Sequence, residues 1–409
     1  MRRNVMSILL KGQGCLFNNS GLLKKIDFTL LITVYLIIII GLVVIYSATK
    51  PVDINSVTGD AVSLANSFEE LKKQILWIVL GSVMLLAIVL NLYHEDLLKH
   101  TRLLYVINLL MLSTVIFFGY SELGAQRWIS IFGFAFQPSE FSKLLIIICF
   151  AAFLSKRKKK LESLIDLLPC FAYILAPVLM ILMQPDLGTA LVFFAVMFGM
   201  LFTAGANPRL LLAVIATSIS AVSLWIWLHI WLAVNRGIAL WIPLKEYQLN
   251  RLIIFLDPWK DPAGDGYHII QSLIAIGQGG FWGRGLLQGS QTHGDFLPIQ
   301  ESDFIFSVIG EEFGFIGAIV LLGLYFIVIY RGILVTVNAK DDFGTLLASG
   351  VVSMLTFHVL VNVGMTSGIM PVTGIPLPMV SYGGSSMLTN LMALGVLLSI
   401  NVRRRKMFL

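Results

Sequence analysis

The 409-residue sequence predicts an all-α polytopic membrane protein of about ten transmembrane helices, with both termini cytoplasmic and one large extracytoplasmic loop between helices 7 and 8. Composition is the first ground: 57% of residues are hydrophobic and 13% charged, whereas soluble domains carry about 25% charged residues. The second is the length of the apolar runs, many near the ~20 residues that cross the hydrocarbon of a bilayer. The third is the placement of Lys and Arg, which collect on one side of the alternating runs. A mean hydropathy of +0.87 agrees. The formal net charge of +6 then reflects topology, and nucleic acid is not expected as a partner.

Residues 1–27 form a polar cytoplasmic segment carrying Arg2, Arg3, Lys11, Lys24 and Lys25. Residues 28–48 hold no charge, run too long for a signal-peptide core and lack a cleavage site, so a retained anchor is expected. Apolar runs follow at about 75–92, 103–119, 141–155, 168–183, 188–204, 210–232, 305–329, 344–366 and 385–402, giving a ten-helix domain over 28–402 and a basic tail over 403–409. With the N-terminus inside, Lys and Arg favour the inner segments by roughly two to one, and the clusters 156–160 and 403–406 read as topology anchors.

That orientation leaves 233–304 outside as the large loop. Six of the eight tryptophans (Trp225, Trp227, Trp231, Trp241, Trp259 and Trp282) lie in it or in the outer end of the preceding helix. Tryptophan favours the bilayer interface, so parts of the loop are expected on the membrane surface. Its glycine-rich run GQGGFWGRGLLQG (277–289) follows no strand, which argues against a nucleotide fingerprint. A close-packed, turn-rich loop and a substrate-cradling loop both remain open. Cys15, Cys149 and Cys170 are scattered and expected as free thiols, and the six histidines form no metal-ligand pattern.

The chemistry concentrates around Leu297–Gly317, LPIQESDFIFSVIGEEFGFIG, which sets Asp303, Glu311 and Glu312 at or inside an apolar segment. An acid at the bilayer centre costs at least about 2.5–3.5 kcal/mol, so such residues usually line a cavity or pathway. Asp303 reads equally as a helix N-cap or as a catalytic acid. Glu311 needs a cation, hydrogen-bond donors or a proton. In FQPSEFSK, Pro138 suits a first helical turn, and Glu140 and Lys143 share one face at i, i+3. They are either a structural ion pair or a carboxylate and an ammonium offered to a cavity. Arg127, in GAQRW, supplies another cation, and Asp186, in QPDLGT, suits a helix cap. The segment Pro371–Ser386, PVTGIPLPMVSYGGSS, which includes Ser381, breaks the helical pattern in the manner of irregular backbone lining a polar cavity. Acids suit deprotonation of a sugar hydroxyl, and cations suit neutralisation of a departing pyrophosphate.

The ordered motifs GAQRW, FQPSEFSK, QPDLGTA, RLIIFLDPWKDPAGDGYHIIQS, AIGQGGFWGRG, DFIFSVIGEEFGFIG and GIPLPMVSYGGSS resemble the SEDS family of shape, elongation, division and sporulation proteins. The likeness runs from about Phe28 to the end, and Pro371–Leu397 resembles the elongation branch more than the division branch. The resemblance implies a peptidoglycan glycosyltransferase of the bacterial cytoplasmic (inner) membrane that polymerises lipid II into β-1,4 glycan strands at the outer face. Asp303 falls on the family's essential aspartate and is expected as general base. Lys143 and Arg127 are expected to neutralise the undecaprenyl pyrophosphate and Glu140 to orient Lys143, with Glu311 and Ser381 also at substrate-binding positions. No cofactor is specified, although a divalent cation (Mg or Mn) is a candidate helper. Implied partners are lipid II, the undecaprenyl-linked glycan strand, a class B penicillin-binding transpeptidase, the elongation machinery and membrane lipids. Two other classes stay open: a lipid II flippase, with Glu311 and Glu312 on its path, and a non-catalytic scaffold. One departure stands out. The family reads LPE-x-[HQ]-TDF where this chain has Leu297-Pro298-Ile299-Gln300-Glu301-Ser302-Asp303, so Glu301 is a candidate to compensate for the acid missing at Ile299.

Overall fold

The structure, a computed structural model, describes residues 25–49, 59–122, 125–131, 134–157, 161–237, 241, 246–262, 264, 266–294, 296–297 and 299–404. Its helices are α1 (Phe28–Thr49), α2 (Gly59–Asn91), α3 (His94–Phe118), α4 (Pro138–Ser155), α5 (Leu164–Met183), α6 (Leu187–Thr203), α7 (Pro208–Arg236), α8 (Glu246–Leu256), α9 (Tyr267–Gly279), α10 (Ser290–His293), α11 (Ile305–Val337), α12 (Asp342–Thr366) and α13 (Gly384–Val402). Among the described residues nine helices are long and apolar enough to cross a membrane. The tenth expected span is α6, whose 17 residues reach about 26 Å at 1.5 Å per residue.

Three of these helices form the centre. The apolar windows of α4, α12 and α13 are 78%, 72% and 89% buried, whereas that of α7 is 6% buried. A helix apolar on all sides belongs either in a core or against lipid, and these helices divide between the two. Local chemistry sets their ends. Ser163 and Asp166 form a capping box at α5, Asp186 caps α6 through the Thr189 amide, and Asp341 caps α12 through the Gly344 amide.

The two ends of the bundle differ. At one, Asp27 caps α1 and pairs with Arg331 at 2.5 Å, the Asn401 amide reaches the Lys25 carbonyl, and Arg403 reaches the carbonyls of Val89 and Leu90. Lys25 and Arg403 therefore lie at the same end of the bundle. Residues 1–24 and 405–409, with Cys15, lie outside the described residues, and Cys149 and Cys170 are buried free thiols.

The opposite end carries the irregular segments, which add one small sheet to the helical bundle. Three short strands, β1 (Tyr120–Glu122), β2 (Ala125–Ile131) and β3 (Phe134–Phe136), form an antiparallel sheet in the order β1-β2-β3. β3 leads through Gln137 into Pro138 at the start of α4. The expected large loop holds α8, a 3-10 turn at Pro258–Lys260, α9 and α10. All six interfacial tryptophans named above are solvent- or lipid-exposed.

The expected continuous helix after Asp303 is broken. Gly314 adopts φ 63° and ψ −160°, a conformation that only glycine takes without strain, and residues 315–337 still reach about 34 Å. The backbone groups freed at the break are paired by the glycine-rich loop. Arg284 and Gly285 amides donate to the Glu311 and Glu312 carbonyls, and Phe315 and Ile316 amides donate to the Gly280 and Phe281 carbonyls. A Cβ on Gly279 would fall 1.9 Å from the Gly310 carbonyl oxygen, so the backbones meet too closely for any side chain there. The glycine run is thus a close-packed loop docked on a helix break.

Candidate active site

Four elements bring polar groups to one cleft. From the first turns of α4 come Glu140 and Lys143, both buried, with Lys143 Nζ donating to Glu140 Oε1 at 2.7 Å. Strand β2 presents Arg127, whose Nη2 donates to the Pro185 carbonyl at 2.7 Å and whose Nη1 lies 3.7 Å from Asp186 Oδ1. Asp186 is held by the Thr189 amide and hydroxyl at the start of α6. From α12, His358 Nε2 lies 3.0 Å from Lys143 Nζ. These side chains line about 290 Å³ of open space, walled on another side by Gly374–Pro376.

Asp303 stands at that wall. Its Oδ2 lies 3.3 Å from where a Cβ on Gly374 would sit, so the carboxylate abuts a residue that lines the cleft. It does not cap α11: the N-cap residue is Phe304, which makes no side-chain cap. The Ser302 hydroxyl donates to Asp303 Oδ1 at 3.0 Å. Burial raises the Asp303 pKa above the ordinary carboxylate value; Ser302 and the guanidiniums of Arg251 and Arg127 pull it back in part, and Asp186 adds to the rise. A carboxylate held basic in this way is a better proton acceptor than a solvated one.

The segment carrying Asp303 is clamped by the irregular stretch before α13. Ser381, expected to contact substrate, is buried; its hydroxyl donates to the Ser302 carbonyl at 2.6 Å and accepts from the Leu377 amide at 2.8 Å. The Tyr382 amide donates to the Glu301 carbonyl at 2.8 Å, and Asn362 Nδ2 donates to the carbonyls of Asp303 and Ile375 at 3.0 and 2.8 Å. Ser381 therefore positions Asp303 through the backbone. Where the family has an acid, Ile299 takes φ 51°, a left-handed conformation that a β-branched residue adopts only under strain. The amides of Ser302 and Phe304 turn back to its carbonyl.

Glu311 and Glu312 lie elsewhere. The Glu311 carboxylate accepts from the amides of Gln291 and Thr292 at 2.8 and 3.0 Å and from the Thr292 hydroxyl at 2.7 Å. Glu312 Oε1 accepts from Ser47 Oγ at 2.5 Å and from the Leu287 amide at 3.2 Å. Both acids fasten the loop to the break in α11 and are absent from the lining of the cleft.

The cleft carboxylates and Asp303 each have a protein donor: Lys143 for Glu140, Thr189 for Asp186 and Ser302 for Asp303. Among the described residues, His94, Glu95 and Asp341 do bring ligand atoms within 4.8 Å of one another. They lie at the opposite end, where Glu95 pairs with Lys340 and Asp341 caps α12. Among the described residues, no group of three or more His, Cys, Asp or Glu side chains brings its ligand atoms together beside Asp303.

Sequence reasoning missed His358, Arg251 and Asn362. Arg251 opens one of the recognised motifs, and His358 and Asn362 are polar residues four apart in an apolar helix. That spacing puts them on one face, a signal that sequence reasoning did not use.

The sequence profile of the FtsW/RodA/SpoVE family, described as a cell cycle protein, matches residues 28–406. The chain belongs to this family. Among its relatives, the peptidoglycan glycosyltransferase RodA of Treponema pallidum is 37% identical, covering 92% of this chain and 98% of that protein. The peptidoglycan glycosyltransferase MrdB of Escherichia coli is 39% identical over 74% of this chain and 78% of its own length. Among solved structures, a chain of a peptidoglycan synthase complex that coordinates polymerization and crosslinking superposes with a TM-score of 0.72 at 32% identity, covering 93% of this chain and 99% of that one. RodA of Thermus thermophilus superposes at 0.64 with 28% identity, over 93% and 98%. Within the family the chain is nearer to RodA than to FtsW, and it is a multi-pass membrane protein.

Proposed function

We propose that the chain is the peptidoglycan glycosyltransferase of cell elongation, acting at the outer face of the bacterial cytoplasmic membrane with the cleft end facing outward. One observation carries the assignment of chemistry: a partly buried aspartate, held basic by desolvation, stands beside Gly374 at the wall of a cleft that presents Arg127 and Lys143, with Arg251 close enough to act on its charge. Asp303 takes the proton from the GlcNAc 4-hydroxyl of an incoming lipid II. That oxygen attacks C1 of the lipid-linked MurNAc at the end of the growing strand. The C1–O bond to pyrophosphate breaks, the β-1,4 bond forms, and undecaprenyl pyrophosphate leaves with its electron pair. Proton transfer of this kind is worth about 10²–10⁴-fold, and Lys143 and Arg127 supply fixed positive charge where the leaving group develops negative charge.

The partner that fits is a class B penicillin-binding transpeptidase, which would crosslink strands as they emerge; the solved complex similar to this chain couples polymerization and crosslinking. The flippase alternative loses its main support, because Glu311 and Glu312 are spent on holding a loop. A scaffold needs no basic aspartate. Incubating the purified protein and its transpeptidase partner with lipid II tests the reading. Glycan strands without transport of fluorescent lipid II across vesicles support it, and transport without strands contradicts it.

A further inference from the structure

We infer that His358 is a positioning residue that aims the one remaining N–H of Lys143 into the cleft, at the pyrophosphate. The inference rests on the reading of the cleft given above and adds a residue that reading does not use. His358 Nδ1 lies 2.7 Å from the Met354 carbonyl, one turn earlier in α12. A carbonyl only accepts, so the ring proton sits on Nδ1. Nε2 then presents its lone pair to Lys143 Nζ at 3.0 Å. The ammonium has three protons; Glu140 Oε1 takes one at 2.7 Å and His358 takes the second. The third is left for the open space that Lys143, Glu140 and His358 all line.

The roles of the two partners differ. Glu140 lies one turn from Lys143 on the same helix and balances its charge. His358 belongs to a different helix and carries no charge in this tautomer. It fixes the direction of the ammonium without cancelling its field, which leaves the lysine cationic toward a phosphate. Both groups are buried, so His358 is the acceptor that the fold itself supplies for this N–H. A backbone carbonyl sets the imidazole and the imidazole sets the ammonium, in the way outer groups fix the ligands of a charged site.

Calorimetric binding of inorganic pyrophosphate to the full-length protein, together with lipid II polymerisation kinetics, tests this. His358→Leu is expected to weaken pyrophosphate binding and to lower kcat/KM by about tenfold or more, the size of one lost hydrogen bond to a charged group. His358→Gln, which keeps an acceptor near the Nε2 position, is expected to recover most of both losses. Unchanged pyrophosphate binding in His358→Leu, or equal losses in the Leu and Gln variants, would overturn the inference. If His358→Leu does not fold, His358→Asn replaces it, since its amide is too short to reach Lys143, and wild-type binding by that variant overturns the inference equally. Wild-type protein that forms no glycan contradicts the functional reading, while its pyrophosphate binding relative to the His358 variants still decides this one.

Discussion

The Ser381 hydroxyl donates to the carbonyl of Ser302 over 2.6 Å, one residue before the carboxylate proposed as the general base. The same oxygen receives the Leu377 amide, so one small side chain fastens the turn before α13 to the segment entering α11. Ser381→Ala leaves a buried carbonyl and a buried amide without a partner, at about 1–3 kcal/mol. The expected outcome is a lower melting temperature and a lower kcat with KM for lipid II little changed. A raised KM with unchanged kcat would instead return Ser381 to direct substrate contact.

The Glu140–Lys143 pair is closed at 2.7 Å with both side chains buried. Removing one partner strands the other charge and costs about 3–5 kcal/mol, whereas removing both relieves most of that penalty. Thermal unfolding should therefore show Glu140→Gln and Lys143→Met each strongly destabilised and the double variant closer to wild type. Polymerisation should stay low in the double variant, because the cation facing the leaving group is gone. Additive destabilisation would show that the pair is not coupled.

The four donors on the Glu311 carboxylate come from the start of α10. In Glu311→Gln the amide N–H₂ must face a backbone N–H that only donates, that of Gln291 or of Thr292, whichever way it is turned. Limited proteolysis should then cut within 281–297 several-fold faster than in wild type, with activity falling as the loop loosens. An uncleaved loop with altered binding of lipid II would place Glu311 on the substrate instead.

Asp303 titrates above the ordinary aspartate value because of burial, and that sets the sign of two pH effects. A carboxyl group with a raised folded pKa contributes stability below its unfolded pKa and loses it as pH rises through the folded pKa. At neutral pH the ionised group therefore opposes folding, and Asp303→Asn should melt higher than wild type, with the gap closing as pH falls toward 3.8, the ordinary aspartate value. The polymerisation rate should rise with pH along an acid limb displaced upward from that value. A melting difference of the opposite sign at neutral pH would mean that the carboxylate is net stabilised where it sits.

Much of this architecture was legible from residue order. The spans follow from uncharged runs. Pro138, Glu140 and Lys143 follow from first-turn preference and i, i+3 spacing, and Asp186 as a cap follows from the turn Gln184–Asp186. The sheet at 120–136 was not, because strands of three, seven and three residues lie among apolar residues that read equally as the ends of helices. The break at Gly314 was hidden because GEEFGFIG continues a helical pattern, and only the docked loop shows where the freed backbone groups go. Buried acids could be seen at Glu311 and Glu312, but their donors come from residues 287–292 and from Ser47, which only the fold brings near. His358 needed α12 laid against α4 before its partner could be named.

The central claim is that Asp303 takes the proton of the acceptor sugar. Polymerisation of lipid II by wild type and by Asp303→Asn, each purified with the transpeptidase partner and matched for folding by melting temperature, tests it most directly. The expected result is glycan strands from wild type and none from a variant that is as stable or more so. Strands of ordinary length and rate from Asp303→Asn would contradict the claim.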